Sequence, residues 1–152
     1  MRGPNGEELP GAALFACTLN SVRSPMAAAI MRYLYGKFVY VESAGARAGE
    51  LDPMAVEVME EVGIEIGKHK PKSFEDLEDA SFDLIITLSP EAHHKAMELT
   101  RTMAVAVEYW PMADPTAVEG SRTQRLDAYR AVRDELMQRI AARFAVGRAA
   151  DA

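Results

Sequence analysis

The sequence predicts an α/β fold: a four-stranded parallel sheet flanked by helices on both faces, in a doubly wound arrangement. Short apolar runs alternate with helical patterns in the order β-α-β-α-β-α-β-α, which favours parallel strands joined by right-handed crossovers. The apolar runs are continuous, as is typical of strands covered on both faces. We therefore expect ligands to bind at the carboxyl ends of the strands, where the strand order reverses.

Four short segments rich in apolar and β-branched residues predict the strands. The clearest of them reads D-L-I-I-T-L, and it is too short and too apolar for a surface helix. The predicted strands cover residues 12–16, 39–43, 83–88 and 104–109.

Apolar spacing and start signals predict four helices between and after these strands. In the first, Pro25 suits an initial helical position, and apolar residues follow at four-residue steps: Met26, Ile30, Leu34 and Phe38. The second begins at Asp52-Pro53, and Gly63 stops it after three inward residues: Val56, Met59 and Val62. The third covers residues 90–99.

The last helix begins near Ser121 and carries the longest apolar stripe of the chain. The stripe consists of five residues: Tyr129, Val132, Leu136, Ile140 and Phe144. We expect the arginines of this segment to form its solvent face: Arg122, Arg125, Arg130, Arg133 and Arg139.

Length, composition and charge exclude several classes of protein. With 152 residues, 49% of them hydrophobic and 26% charged, the chain is predicted to be a single domain (1–152) with an ordered core at about 12–145 and flexible termini. The net charge of −6 disfavours a nucleic-acid partner, and no apolar run has the roughly 20 residues that a membrane span needs. One cysteine cannot form an intrachain disulfide. We predict a cytoplasmic protein.

The turn after the first strand carries the chemistry-bearing residues. It runs from Cys17 to Ser24 and leads into Pro25. Loop amides that wrap into a helix start converge on one point and bind anions, so the residues expected to contact substrate are Thr18, Leu19, Asn20, Ser21, Val22 and Arg23.

Four side chains of this turn have a specific role in that interpretation. Beside such a cradle, Cys17 is expected to react as a thiolate. Arg23 can donate two parallel N–H bonds to a phosphoryl group, and Ser24 can donate to the sulfur. Asn20 tolerates the left-handed conformation that a tight cradle needs. A lone cysteine is more often a small buried hydrophobe, but the combination of strand, Cys, Asn, Arg-Ser-Pro and helix favours the functional interpretation.

A carboxylate after the fourth strand is the candidate acid–base group. Asp114 lies in a loop that reaches the same sheet edge as Cys17, and Pro115 keeps its backbone extended. Asp-Pro is also a common turn dipeptide, so the assignment depends on its position relative to the cysteine loop. We expect Asp114 to transfer protons during the reaction.

The other histidines and lysines are given structural interpretations. His93 and His94 have no cysteine or paired carboxylates at ligand spacing, so no metal site is expected. The segment from His69 to Lys72 is expected to be a solvated connection, with anion steering as the alternative.

These motifs resemble those of the low-molecular-weight protein tyrosine phosphatase family and of the arsenate reductases that share its fold. The resemblance covers roughly residues 14–144 and includes C-T-L-N-S-V-R-S-P at 17–25, E-S-A-G at 42–45, the D-L-I-I-T-L strand and D-P at 114–115. It implies a phosphatase-I-like sheet and a phosphotyrosine or other phosphomonoester substrate, on a protein or a small molecule. It implies no cofactor and no metal.

The same resemblance implies a two-step hydrolysis. Cys17 attacks phosphorus while Asp114 protonates the leaving oxygen, and water then hydrolyses the phosphocysteine with Asp114 as base. Arg23 and the loop amides hold the transition-state charge. Asn20 and Ser43 supply hydrogen bonds that support the loop.

The sequence departs from the family pattern in three places. Leu19 stands where a glycine is frequent, which suggests an altered loop backbone or a more apolar rim. Thr116-Ala117 replaces a tyrosine pair that walls the phosphotyrosine slot of eukaryotic-type members. Val22 stands where a second cysteine is frequent.

The valine at position 22 leads to a prediction about oxidation. Mild peroxide followed by dithiothreitol should restore less activity than it does in two-cysteine relatives, because no neighbouring thiol can trap oxidised Cys17 as a disulfide before further oxidation. Activity measured before and after reduction checks this. Full recovery would contradict it.

Two other functions are compatible with the same residues. An arsenate reductase would bind arsenate in the phosphate cradle, but the three-cysteine relay of thioredoxin-coupled members is impossible with Cys17 alone. An external small thiol would have to resolve Cys17. A non-catalytic module for phosphate or phosphopeptides is the third possibility, although such a module has no need of the set Cys17, Arg23 and Asp114.

Overall fold

The structure is a computed structural model, and it describes residues 8–78 and 81–145. Within these ranges four parallel strands form one sheet: β1 (Ala12–Cys17), β2 (Tyr40–Gly45), β3 (Leu84–Thr87) and β4 (Ala106–Tyr109). Their spatial order is β2-β1-β3-β4. The predicted α/β fold with a four-stranded parallel sheet is confirmed, and each strand boundary lies within two residues of its predicted position. The ends predicted to be flexible lie largely outside the described residues.

Four helices connect and follow the strands: α1 (Arg23–Tyr35), α2 (Pro53–Glu60), α3 (Pro90–Leu99) and α4 (Arg122–Phe144). Two short 3₁₀ turns, Phe74–Asp76 and Pro115–Ala117, lie in the connections. The starts of α2, α3 and α4 are capped by Asp52, Ser89 and Ser121, whose side chains each accept a backbone N–H of the first turn. Such caps satisfy amide groups that have no partner within the helix.

Several details of the helix prediction were wrong. Helix α1 begins at Arg23, two residues before the predicted start at Pro25, and it ends at Tyr35, so Phe38 lies beyond it and Leu34 is 43% exposed. Helix α2 ends at Glu60, so Val62 lies outside it, although Gly63 does take the left-handed conformation at φ 78°. Both helices are shorter than their apolar patterns, because apolar residues in the following turns continue to pack against the core.

Both faces of the sheet are covered, as the continuous apolar runs predicted. The larger core lies between the sheet and helices α1, α2 and α4, and all five stripe residues of α4 are buried in it. A smaller cluster on the opposite face includes Leu14, Ile85 and Ala96 of α3. The centre of the sheet is therefore held between helical layers, whereas the edge strand β4 keeps Ala106 and Tyr109 exposed.

Arg133 departs from the predicted solvent face of α4. It is only 8% exposed, and its Nη1 donates to the carbonyl of Val58 and to the carboxylate of Glu61, each at 2.8 Å. Arg130 also binds Glu61, and the two guanidinium groups lower the pKa of Glu61 to about 2. These contacts attach the end of α2 to α4. Within residues 8–78 and 81–145, no helix is long and apolar enough to cross a bilayer.

Candidate active site

The loop that connects β1 to α1 lies where the strand order reverses, between β2 and β3. Cys17 is the last residue of β1, and Arg23 is the first residue of α1. A cavity of about 100 Å³ opens at this point, and it is lined by Cys17, Thr18, Leu19, Ser21, Val22, Arg23, Asp114 and Thr116. The structure thus brings the three predicted catalytic residues to one small cavity, although Asp114 is about 100 residues from Cys17 in sequence.

Backbone amides of the segment 46–52 hold the carbonyl groups of the loop. The donors are the amides of Ala46, Arg47, Gly49 and Asp52, and they bind the carbonyl oxygens of Cys17, Thr18, Leu19 and Ser21 at 3.0, 2.9, 2.9 and 3.2 Å. In a trans peptide the C=O and the following N–H point in opposite directions. Each carbonyl held against segment 46–52 therefore turns the next N–H group away from that segment, which is the arrangement an anion cradle requires.

Two glycines permit this close approach. A Cβ on Gly45 would lie 2.8 Å from the amide nitrogen of Asn20, and a Cβ on Gly49 would lie 2.7 Å from Oγ of Ser21. Gly45 also pairs with Cys17 in the sheet register. The glycine of the E-S-A-G motif is therefore explained by the narrow space between β2 and the loop.

Asn20 is the only non-glycine residue of the described ranges with positive φ, at 56°. Its side-chain amide is fully buried and makes four hydrogen bonds. The nitrogen Nδ2 donates to Oγ of Ser24 at 2.8 Å and to Oγ of Ser43 at 3.0 Å. The oxygen Oδ1 lies 3.0 Å from the amide of Lys72 and 3.0 Å from the His69 ring. Because every donor and acceptor of the amide is used, the loop backbone is locked at this residue.

His69 is a partner that sequence reasoning missed, and the expectation that it lies in a solvated connection was wrong. Its Nε2 lies 3.0 Å from Oδ1 of Asn20, an oxygen that can only accept, so Nε2 carries the proton. Burial lowers the pKa of His69, and the nearby cations Lys72 and Arg32 lower it further. The ring is therefore neutral at pH 7. No local pattern could identify it, because His69 is 49 residues from Asn20.

Ser24 links Asn20 to the sulfur. Its Oγ lies 2.9 Å from Sγ of Cys17 and accepts from Asn20, while the Ala44 carbonyl lies 3.4 Å away. The single hydroxyl proton can go to only one acceptor. A negatively charged sulfur attracts this proton more strongly than a distant carbonyl does, so Ser24 can stabilise a thiolate. Asn20, Ser24 and Ser43, the predicted supporting residues, are thus found together.

Arg23 is held at one edge of the cavity. Its side chain is 8% exposed, and Nη1 donates to the carbonyl of Met112 at 3.1 Å. Met112 belongs to the loop after β4, so this bond connects the cysteine loop to the aspartate loop. A guanidinium has five N–H donors in one plane, and donors beyond the one on Met112 are available to an oxyanion in the cavity.

Asp114 lines the same cavity from the loop that follows β4. Its Oδ1 accepts from the amide of Thr116 at 3.0 Å and from the hydroxyl of Thr116 at 2.6 Å. These bonds cap the 3₁₀ turn Pro115–Ala117 and fix the carboxylate beside the opening. Asp114 is exposed to solvent, so a proton can be exchanged with water.

The histidines of α3 do not belong to a metal site. Across residues 8–78 and 81–145, no three His, Cys, Asp or Glu side chains are grouped as a metal site would need. Nδ1 of His93 is 2.9 Å from the Thr87 hydroxyl, and its ring stacks on Tyr109. His94 lies 3.4 Å from Glu98 on the surface of α3.

The sequence of this chain matches one protein family and is similar to curated members of the same fold. The family model described as low molecular weight phosphotyrosine protein phosphatase matches residues 12–146. An arsenate reductase of Bacillus subtilis is 33% identical over 126 residues, which are 83% of this chain and 89% of the relative.

Two solved structures extend this similarity. One is an arsenate reductase in a phosphate-binding state, with a TM-score of 0.69 and 28% identity over 88% of this chain and 96% of that one. The other is an arginine phosphatase mutant with a phosphorylated active-site serine, with a TM-score of 0.70 and 26% identity over 90% and 97% of the two chains. The family match covers most of the chain, and the fold and the cysteine loop agree with it. This chain belongs to the low molecular weight phosphotyrosine protein phosphatase family, whose fold is shared by cysteine-based phosphatases and arsenate reductases.

Proposed function

We propose that this protein hydrolyses phosphomonoesters through a phosphocysteine intermediate, with a phosphorylated protein side chain as the first substrate class to test. The observation that supports this proposal is the shared cavity of Cys17, Arg23 and Asp114. A nucleophile, a bidentate cation and a proton donor at one oxyanion-sized site are the groups that phosphoryl transfer through sulfur requires.

In the first step the thiolate of Cys17 attacks phosphorus, and the bond from phosphorus to the ester oxygen breaks. Asp114 gives its proton to that oxygen, so the alcohol leaves neutral. Both hydrogen bonds from Thr116 go to Oδ1 of Asp114, and we assign Oδ2 to the proton transfer. Arg23 and the inward amides hold the charge on the equatorial oxygens.

In the second step water attacks the phosphorus of the phosphocysteine. Asp114 takes a proton from this water, and the bond between sulfur and phosphorus breaks. The electron pair returns to sulfur, where the hydroxyl of Ser24 can donate to it from 2.9 Å. Inorganic phosphate leaves, and the chain is ready for another cycle with no external reductant.

The walls of the cavity bear on the substrate class. Leu19 and Val22 are aliphatic, Thr116 lies near Asp114, and the described residues that line the cavity include no aromatic side chain. Leu19 is 41% exposed at the rim. The family description favours phosphotyrosine, and the arginine phosphatase among the similar structures makes phosphoarginine the second phosphoryl substrate to compare.

Arsenate reduction is the second candidate, and the names of the curated relatives support it more directly than they support hydrolysis. Cys17 would displace an arsenate oxygen as water. An external thiol would then attack the sulfur, arsenic would keep the electron pair and leave as arsenite, and a mixed disulfide would form. A second thiol would free Cys17. The single cysteine makes external thiols obligatory, which is why we rank hydrolysis first.

One experiment compares the two candidates. Reduced wild-type protein is given p-nitrophenyl phosphate, a phosphotyrosine peptide and a phosphoarginine peptide at mildly acidic and at neutral pH, with and without a chelator. In parallel it is given arsenate with small thiols, and arsenite is measured. Phosphate release from p-nitrophenyl phosphate or the phosphotyrosine peptide that is indifferent to chelator supports the proposal, whereas release from the phosphoarginine peptide alone would replace phosphomonoesters by a phosphoramidate as the substrate class. Arsenite formation without phosphate release would replace it with the second candidate, and phosphate binding without either reaction would favour a non-catalytic module.

Replacing Asp114 by asparagine should slow hydrolysis according to the leaving group. We expect a loss of about 100-fold for an alkyl or peptide phosphate, because the alkoxide then leaves without a proton. The loss should be smaller for p-nitrophenyl phosphate, whose phenolate leaves readily. The comparison of kcat for the two substrates checks this prediction.

Asp83→Asn is the matched control for this variant. Its carboxylate binds the amide of Ala12 at the other end of the sheet. If Asp114→Asn hydrolyses the alkyl phosphate as fast as the wild-type protein, Asp114 is not the acid–base group. Asp52 and Glu119 would then be the next candidates for that role.

A further inference from the structure

Asp52 connects the cysteine loop to helix α4 without lining the cavity itself. Its backbone amide donates to the carbonyl of Ser21 at 3.2 Å, and its Oδ1 caps α2 by accepting from Met54 at 2.8 Å. Its Oδ2 accepts from the hydroxyl of Tyr129 at 2.6 Å. A cap alone needs one oxygen, so the bond to Tyr129 needs another explanation.

Tyr129 is fixed in the larger core. It is 1% exposed and lies on the apolar stripe of α4. Burial raises the pKa of Tyr129, and the neighbouring carboxylate of Asp52 raises it further. The hydroxyl therefore remains protonated and donates to Asp52 throughout the physiological pH range. The carboxylate of Asp52 is therefore held in place by a hydrogen bond from a buried hydroxyl group.

The position of Asp52 sets the direction of one peptide group in the loop. Its amide holds the Ser21 carbonyl outward, so the N–H of Val22 is directed to the opposite side. Val22 and Ser21 both line the cavity. An amide aimed at the equatorial oxygens stabilises the transition state, and a small change in its direction reduces that stabilisation.

We propose that Tyr129 is a positioning residue that, through Asp52, aligns the Ser21–Val22 peptide with the equatorial oxygens of the reacting group. The inference rests on the proposed function for its catalytic consequence, but its binding consequence can be measured separately. Tyr129 itself does not touch substrate.

The test is the variant Tyr129→Phe, which removes only the hydroxyl and keeps the ring. Phosphate is the probe for the ground state, and vanadate, which can become five-coordinate, is the probe for the transition state. We expect vanadate affinity to fall roughly tenfold and phosphate affinity to fall less than about twofold. With an active enzyme, kcat should fall by a similar factor while KM changes little.

Tyr35→Phe is the matched control, because the Tyr35 hydroxyl bonds the Phe144 carbonyl at 3.5 Å at the other end of the α1–α4 contact. Asp52→Ser keeps the helix cap but is too short to reach Tyr129. If Tyr129 acts through Asp52, the double variant should be no worse than Asp52→Ser alone.

The affinities of the variants for vanadate and phosphate decide whether Tyr129 acts on the loop. Equal vanadate affinities for Tyr129→Phe and Tyr35→Phe would overturn the inference, as would additive losses in the double variant or equal losses of vanadate and phosphate affinity. If the wild-type protein binds both oxyanions but hydrolyses no phosphoester, the proposed function is wrong. The vanadate and phosphate affinities of the variants then still decide whether Tyr129 positions the loop. Wild-type protein that binds neither oxyanion would overturn both the proposed function and the inference.

Discussion

Replacing Cys17 by serine should reduce phosphoester turnover by at least about 10⁴-fold, because the hydroxyl that results is a far weaker nucleophile than a thiolate. The new Oγ would stand near Ser24 without becoming an anion at neutral pH. The cradle itself should persist, since the carbonyl groups of the loop are held by backbone amides of segment 46–52. We therefore expect phosphate affinity within about threefold of the wild-type value.

The measurement is kcat with p-nitrophenyl phosphate, together with phosphate affinity and thermal unfolding of the same protein. Arsenite formation should be lost as well, because both candidate reactions begin at the same sulfur. A Cys17→Ser variant that keeps more than about one hundredth of the wild-type kcat would contradict nucleophilic catalysis by this residue. A variant that has also lost its fold would be replaced by Cys17→Ala for the same comparison.

Replacing Arg23 by lysine should lower kcat/KM about 10³-fold. The arginine can bond the Met112 carbonyl and an oxyanion at the same time, because its donors form a rigid planar fork. A lysine keeps the charge but presents a single ammonium group, which cannot hold two oxygens of the reacting group in register. The bond between the cysteine loop and the loop of Asp114 would also be weakened.

Arg32→Lys is the control, since Arg32 lies on the same helix and binds the carbonyl of Val41 and the carboxylate of Glu42, away from the cavity. We expect its kcat/KM to stay within about twofold of wild type. The split between kcat and KM then separates lost charge from lost geometry in Arg23→Lys. Equal values for the two variants would show that the guanidinium of Arg23 has no special role.

The sequence predicts the fold well because the signals for it are local. Continuous apolar runs and the long stripe of α4 each report burial of their own segment, and both were confirmed, whereas Pro25 is the third residue of α1 and not its first. Local pattern also led to Cys17, Arg23 and Asp114, because a strand followed by a loop and a helix places such residues at one sheet edge. The ends of α1 and α2 were misplaced because apolar residues continue past both helices.

The residues that support the loop were only partly predictable. Asn20 could be identified from its tolerance of positive φ, whereas His69 carries no signal in its own segment. Arg133 was assigned to the solvent face because helical periodicity does not show that a carbonyl and a carboxylate of α2 lie opposite it. Contacts of this kind depend on how elements pack, and they become visible only in three dimensions.

The cysteine loop does not hold its own shape, and this has a consequence for the newly synthesised chain. The amide of Lys72 that fixes Asn20 comes 52 residues later, and the carbonyl that holds Arg23 comes 89 residues later. Closing loops of such length costs entropy before the contacts form. Cys17 is synthesised before both of these partners, so we expect the cysteine loop to reach its final shape only after the segments around Lys72 and Met112 have packed.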